Sequence, residues 1–304
     1  MKPQPAARLA APKAGLRAGP VEFAMLGGLG LLWGSNFALI KVGVSEIPPV
    51  SLTCARMLLG ALLLGLIAAA RGARWPRGWR IWALLLMLSV FGSGLPHGLV
   101  AWGEQTIPSS LAAILMALMP TGAILLAHVM TRDERLRWRT VLGVAVGFGG
   151  IAVLVGVNAL SGLGHAVGAE LAVAAAALCF SLNAVLSRRA SHLSPLVVGA
   201  ATLALAAAYT LPLALATERP WTLAPTPGVL WVVALLGLGG TGGAALLYFA
   251  IVNRAGATFL ALSNYLVPLV GVALGALFLD ERMTPQAWIA MAMVLSGLAL
   301  ARRN

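Results

Sequence analysis

Long apolar runs separated by short polar links make up most of the chain. The runs lie near 22–41, 50–70, 80–102, 108–130, 140–157, 167–187, 196–216, 228–251, 256–279 and 285–301. Each approaches the ~20 residues that a helix needs to cross a hydrocarbon core. The links carry turn signals at Pro48-Pro49, Pro76 to Gly78, Ser161 to Gly164 and Pro220 to Pro227. Ser194-Pro195, Thr226-Pro227 and Thr284-Pro285 each put a capping residue before a proline suited to a first helical turn. The pattern predicts an all-α integral membrane protein with ten transmembrane helices. No link could hold a soluble domain. The first run is too long for a signal-peptide core and has no clear cleavage site, so it is expected to stay as a helix.

Composition narrows the class. Of the 304 residues 60% are hydrophobic and 10% charged, against roughly 25% charged in soluble domains. So much apolar surface cannot be hidden from water, which excludes soluble, disordered and fibrous proteins. The net charge of +12 does not point to nucleic acid, because the basic residues sit in short links and no basic stripe with interleaved aromatics exists. They sort by side instead. Lys2 to Arg17, Arg71 to Arg80, Arg132 to Arg139, Arg188-Arg189, Arg254 and Arg302-Arg303 fall on one side, and Lys41, Arg219 and Arg282 on the other. By the positive-inside rule both termini are cytoplasmic, which needs an even number of spans. Trp75, Trp79, Trp82, Trp138, Trp221, Trp231 and Trp288 fall at span ends, as an interfacial belt requires. Cys54 and Cys179 lie inside apolar runs and read as small hydrophobes.

The two halves match at an offset of 147. Asn36 pairs with Asn183, Lys41 with Arg188, Asp133-Glu134-Arg135 with Asp280-Glu281-Arg282, and Gly150 with Gly297; Pro120 pairs with Pro268 one residue further on. Each half holds five runs, an odd number, so the second copy is expected to insert upside down. The organisation read here is a cytoplasmic tail over 1–20, a first five-helix repeat over 21–157 and an inverted second repeat over 158–304. Inverted repeats supply two near-equivalent states, open to opposite sides of a midplane site, which is the architecture of secondary transporters.

Leu32-Trp33-Gly34-Ser35-Asn36-Phe37 resembles the first helix of the ten-helix EamA-type branch of the drug/metabolite transporter superfamily. Gln105 to Ala113 with Pro120, and Ala255-Gly256-Ala257-Thr258 through Pro268 to Asp280-Glu281-Arg282, are similar to the corresponding stretches of that family. Phe180 departs from it, standing at the position that matches Trp33. The resemblance covers about 22–301 and implies export or exchange of small metabolites, amino acids among them, across a plasma (inner) membrane. No cofactor and no ATP site are expected: no GxxxxGK[ST] occurs, and the glycines at 27–30 and 237–243 lie inside apolar runs as packing surfaces.

Polar groups at span depth are the candidate substrate contacts, because each costs free energy unless it meets a cavity or a partner. They are Trp33, Asn36, His97, Asn183, Tyr248, Asn264 and Tyr265. The bland alternatives are an interhelical amide bond for each Asn, a backbone bond for each Tyr, and for His97 a carbonyl freed by Pro96. Pro120 and Pro268 are expected to break their helices, the usual pointer to a transport site. Arg56, some six residues into the second span, is a charge contact for substrate, a structural ion pair or a snorkelling side chain. Trp102 is expected at the outer mouth or in the aromatic belt, and Glu104 beside it as a solvated or capping group. Asp133-Glu134 and Asp280-Glu281 are read as dipole partners for the fifth and tenth helices. The scattered histidines give no metal cluster. Gly143, Gly147 and Gly150 form a small-residue face whose partner is internal or a second subunit, leaving monomer and homodimer both open.

The expected function is a carrier in the lipid bilayer that exports a small-molecule substrate by alternating access, with amino acids first and aromatic or other amphipathic ones favoured. Broad drug efflux or uptake is the alternative within transport. An intramembrane enzyme or a lipid scramblase is the alternative from another class, although no polar catalytic set lies at one depth.

Overall fold

The computed structural model describes residues 19–130, 138–160 and 164–302. The described residues form helices and turns, with no strand among them. In chain order the helices are α1 (Pro20–Gly43), α2 (Pro49–Ala70), α3 (Trp79–Glu104), α4 (Ser109–Met130), α5 (Trp138–Leu160), α6 (Gly164–Leu186), α7 (Pro195–Thr217), α8 (Pro227–Leu260), α9 (Ser263–Phe278) and α10 (Pro285–Arg302). Seven stretches are long and apolar enough to cross a membrane: α1 to α4, Val167–Ala190 around α6, α7 and α8. The apolar stretches of α5, α9 and α10 are shorter, at Val141–Gly150, Ser263–Phe278 and Pro285–Leu300. The tail, Asp133-Glu134-Arg135 and the link from Ser161 lie outside the described residues.

Proline sets where several helices start. Pro20, Pro49, Pro195 and Pro227 stand in first turns, where the missing N–H costs nothing. The expected caps fare unequally. Thr284 accepts the Ala287 N–H at 3.2 Å, but Ser194 makes no side-chain cap bond. Thr226 makes none within its own helix; its N–H and hydroxyl both go to Glu46, at 2.6 and 2.9 Å.

Glu46 is one of three carboxylates that tie one end of the bundle across the chain. Glu218 accepts the Val50 and Ser51 N–H groups at 3.0 and 2.7 Å and so caps α2. Glu281 accepts those of Ser109 and Ser110 at 2.7 and 2.9 Å and caps α4. A carboxylate across the first turn of a helix meets both the free N–H groups and the positive dipole end. The helix start served by Glu281 is therefore α4, not α10, which follows it in sequence. At the same end Lys41 Nζ donates to the Glu104 and Ile107 carbonyls at 2.6 and 2.9 Å. Glu104 itself is fully buried, with both carboxylate oxygens lacking a hydrogen-bond partner. The expectation of a solvated or capping Glu104 is overturned, because α6 closes over this turn: a side chain at Gly103 would strike Val173 and the Ala169 carbonyl.

Packing runs across the two halves. α2 lies on α7, α5 on α10, α1 on α9 and α8, and α6 on α4 and α3. Small residues let backbones meet, as membrane helix contacts require. A Cβ on Gly34 would reach Val270 at 2.5 Å, and one on Gly297 the Gly143 carbonyl at 2.5 Å. Leucines and tryptophans remain on the outside, among them Leu66 (70% exposed) and Trp231 (72%). That apolar exterior fits lipid and not water.

Regular helix fails at four places. α3 carries a π-helical stretch at Val90–Gly94 and α8 one at Leu235–Gly243. α4 turns at 117–118, between Ser109–Met116 and Met119–Met130. α8 breaks at Gly256, whose φ of 83° and ψ of 168° suit only glycine. Pro120 follows the α4 turn directly, whereas Pro268 lies inside α9, after a turn at 261–262.

Candidate functional site

The irregular stretches at 90–94, 117–118 and 235–243 border one cavity of about 420 Å³ between the halves. That volume is in the range of small-molecule sites. Of the residues expected to contact substrate, Trp33, Asn36, His97, Asn183, Tyr248 and Asn264 line it, with Pro120, Pro268 and Arg56. Tyr265 and Trp102 do not; Trp102 is 50% exposed on the outside of α3.

Each asparagine meets the π-stretch of the other half. Asn36 of α1 sits on Gly240 of α8, and a Cβ there would collide with its Oδ1. Asn183 of α6 sits on Gly92 of α3 in the same way. A π-turn widens the helix by one residue and turns carbonyls out of register; glycine then lets a side chain lie against the bare backbone. Asn36 Nδ2 donates to the Gly240 carbonyl at 3.4 Å, and its buried Oδ1 has no partner.

His97 is oriented by the first π-stretch. Its Nδ1 lies 2.6 Å from the Ser93 carbonyl. A carbonyl only accepts, so Nδ1 carries the proton and Nε2 is an acceptor in the neutral ring. The carbonyl used is that of Ser93, not that of Gly92, which Pro96 deprives of its α-helical donor. The ring packs edge-on to Phe180, with centroids 5.2 Å apart at 85°. On the other wall Trp33 and Tyr248 lie 6.0 Å apart, and Phe249 stands against Tyr248 at 5.6 Å.

The second π-stretch holds Arg56. This side chain is 1% exposed, and its Nε and Nη2 donate to Thr241 Oγ1 at 3.2 and 3.1 Å. The Thr241 hydroxyl passes its own proton to the Leu236 carbonyl at 2.8 Å, five residues back. Arg56 is therefore neither snorkelling nor ion-paired within salt-bridge distance among the described residues.

Sequence reading alone left out Thr241, Ser93 and Phe180 as wall residues. Thr241 had no signal beyond being a hydroxyl in a glycine run. Phe180 had one, its register with Trp33. The wall is mostly apolar, with a few polar groups around it left without protein partners: the Asn36 Oδ1 and, among the described residues, the Asn183 and Asn264 amides and the Tyr248 hydroxyl. Buried polar groups are ordinarily satisfied, so these are free for water or a ligand.

Several known transporters resemble the chain along most of its length. The chain is 28% identical to a probable terminal-alkyne amino-acid exporter of Streptantibioticus cattleyicolor, over 90% of this chain and 90% of that protein. It is 27% identical to the uncharacterized inner membrane transporter YedA of Escherichia coli, over 91% and 89%. It is 29% identical to an S-adenosylmethionine/S-adenosylhomocysteine transporter of Chlamydia trachomatis, over 88% and 85%. A crystal structure with 25% sequence identity has the same fold, with a TM-score of 0.66 over 93% of this chain and 97% of that one. The profile of the EamA-like transporter family matches twice, at 23–156 and 167–303. A multi-pass helical protein with a cavity between its halves, matched by that profile along nearly its whole length, belongs to the EamA-like transporter family.

Proposed function

We propose that the chain is a secondary exporter of small metabolites in the inner membrane, with amino acids as its first substrate class. It would work by alternating access between two inverted five-helix repeats, with ten crossings and both termini cytoplasmic. The observation that carries this reading is the paired Asn-on-glycine contact at the cavity, Asn36 on Gly240 and Asn183 on Gly92, built from matching positions of opposite halves. The helix contacts speak for the same symmetry. Exchanging the halves turns α1-on-α9 into α6-on-α4 and α1-on-α8 into α6-on-α3, while α2-on-α7 and α5-on-α10 map onto themselves. A two-fold of this kind makes a mirror state, open to the other side, nearly equal in energy. The end tied by Glu46, Glu218, Glu281 and Lys41 would be the outer one, closed in this state. The cavity reaches Ser187 and Gly199 beside the basic, cytoplasmic links.

The amino-acid class is supported by the mixed wall, in which aromatic rings alternate with amide and hydroxyl groups. It is supported too by the name of the Streptantibioticus relative. The test is efflux from proteoliposomes preloaded with a mixed amino-acid pool, with and without a pH gradient. Loss of particular amino acids over empty liposomes is expected. Retention of every amino acid by folded protein would overturn the substrate class.

A further inference from the structure

Arg56 is the one charged side chain on the cavity wall among the described residues. Its guanidinium has five N–H groups. Thr241 takes the Nε edge, leaving the terminal edge of Nη1 and Nη2 without a protein acceptor among the described residues. The field of Glu104 reaches Arg56, but that carboxylate makes no hydrogen bond to it. A fully buried guanidinium with unspent donors is costly unless something anionic meets it.

The repeat does not require this group. At the offsets that pair Asn36 with Asn183 and Gly92 with Gly240, Arg56 matches Leu203 and Thr241 matches Ser93, so the other half has no charged group there. Among the described residues no carboxylate lines the cavity to receive an organic cation; the acceptors there are neutral, such as Asn36 Oδ1 and His97 Nε2.

We infer that Arg56, held by Thr241, is a carboxylate anchor that restricts the carrier to substrates bearing a carboxylate and excludes amines that lack one. A planar terminal edge accepts both oxygens of a carboxylate in a fixed orientation. The apolar part of the substrate then lies between the Trp33–Tyr248 wall and Phe180, and an ammonium, where present, finds only neutral acceptors. The inference rests on the transport reading above.

Its test uses the wild-type protein first, with L-phenylalanine, 3-phenylpropionate, L-phenylalaninamide and phenethylamine. Each is read as a competitor of whichever amino acid the mixed pool loses fastest, and as a stabiliser in thermal unfolding of the purified carrier. The two acids are expected to compete and stabilise, the amide and the amine to do neither. R56Q is expected to raise the half-saturating concentration of the acids at least tenfold, with R56K intermediate. T241V keeps the charge and removes only its acceptor. It guards against misfolding of R56Q and is expected to retain acid selectivity with a shift under tenfold. Amine or amide acting as well as the acids, or acids acting equally on folded R56Q, would overturn the anchor. If no amino acid leaves the liposomes, the amino-acid reading falls by itself. The unfolding arm then still decides: stabilisation by 3-phenylpropionate that is lost in R56Q upholds the anchor, and no stabilisation overturns it.

Discussion

At the scale of single residues, the glycines under the two asparagines are the sharpest constraint on the cavity. A methyl at Gly240 or Gly92 has to displace Asn36 or Asn183, and overpacking of that kind costs about 1–3 kcal/mol. G240A and G92A are each expected to lower the unfolding temperature and cut flux severalfold. G239A is the control, because its methyl would meet only Leu32 Cδ2 at 3.6 Å; equal behaviour of G240A and G239A would remove the asparagine contact from the account. The asparagines were legible in the sequence, since a rare polar residue recurring at a fixed offset stands out in an apolar chain. Their partners were not, because glycines in a run of glycines look alike until a π-stretch singles out one. Arg56 was visible as an oddity, but its choice among lipid interface, ion pair and cavity depends on Thr241, 185 residues away.

At the scale of elements, helix starts depend on carboxylates from distant links. E281Q keeps the shape at the start of α4 but removes the charge that two N–H groups share. Losing a cap costs about 0.5–2 kcal/mol, so E281Q and E218Q should each lower the unfolding temperature measurably. E46Q should do less, because its site on α8 is exposed. A double variant no less stable than wild type would show that neither cap holds its end of the bundle. Helix positions were legible from hydrophobic length and from Pro49, Pro195 and Pro227, since a span needs a fixed run of apolar residues and proline marks where it begins. The interruptions at 90–94 and 235–243 were not, whereas the break at Gly256 falls where one apolar run ends at 251 and the next begins at 256. A π-stretch has no residue signature of its own. The partner of Glu281 was equally hidden, because it is set by which links meet in space and not by which helix follows.

At the scale of the whole molecule, the contacts between halves make a prediction about sidedness. With Cys54 and Cys179 replaced, a cysteine at Glu46 should react with an impermeant maleimide added outside intact cells, and one at His192 only after lysis. The reverse result would invert the topology while leaving the cavity intact. The cationic Arg56 on the cavity wall has an electrical consequence. Whichever way the cavity faces, Arg56 takes the potential of that side. A full unit charge moved across the membrane field is worth about 2.3 kcal/mol per 100 mV. An interior-negative potential therefore draws the empty, positive site inward. An anionic substrate neutralises the site on the outward step, so the potential would speed export through the return of the empty carrier. A zwitterion leaves the site positive in both directions and gains no net drive. Imposing a valinomycin–potassium potential on loaded proteoliposomes should then accelerate efflux of 3-phenylpropionate and drive no net movement of phenylalanine held at equal concentrations on both sides. On that arithmetic the arginine moves the voltage-sensitive step of acid export from the loaded carrier to the empty one.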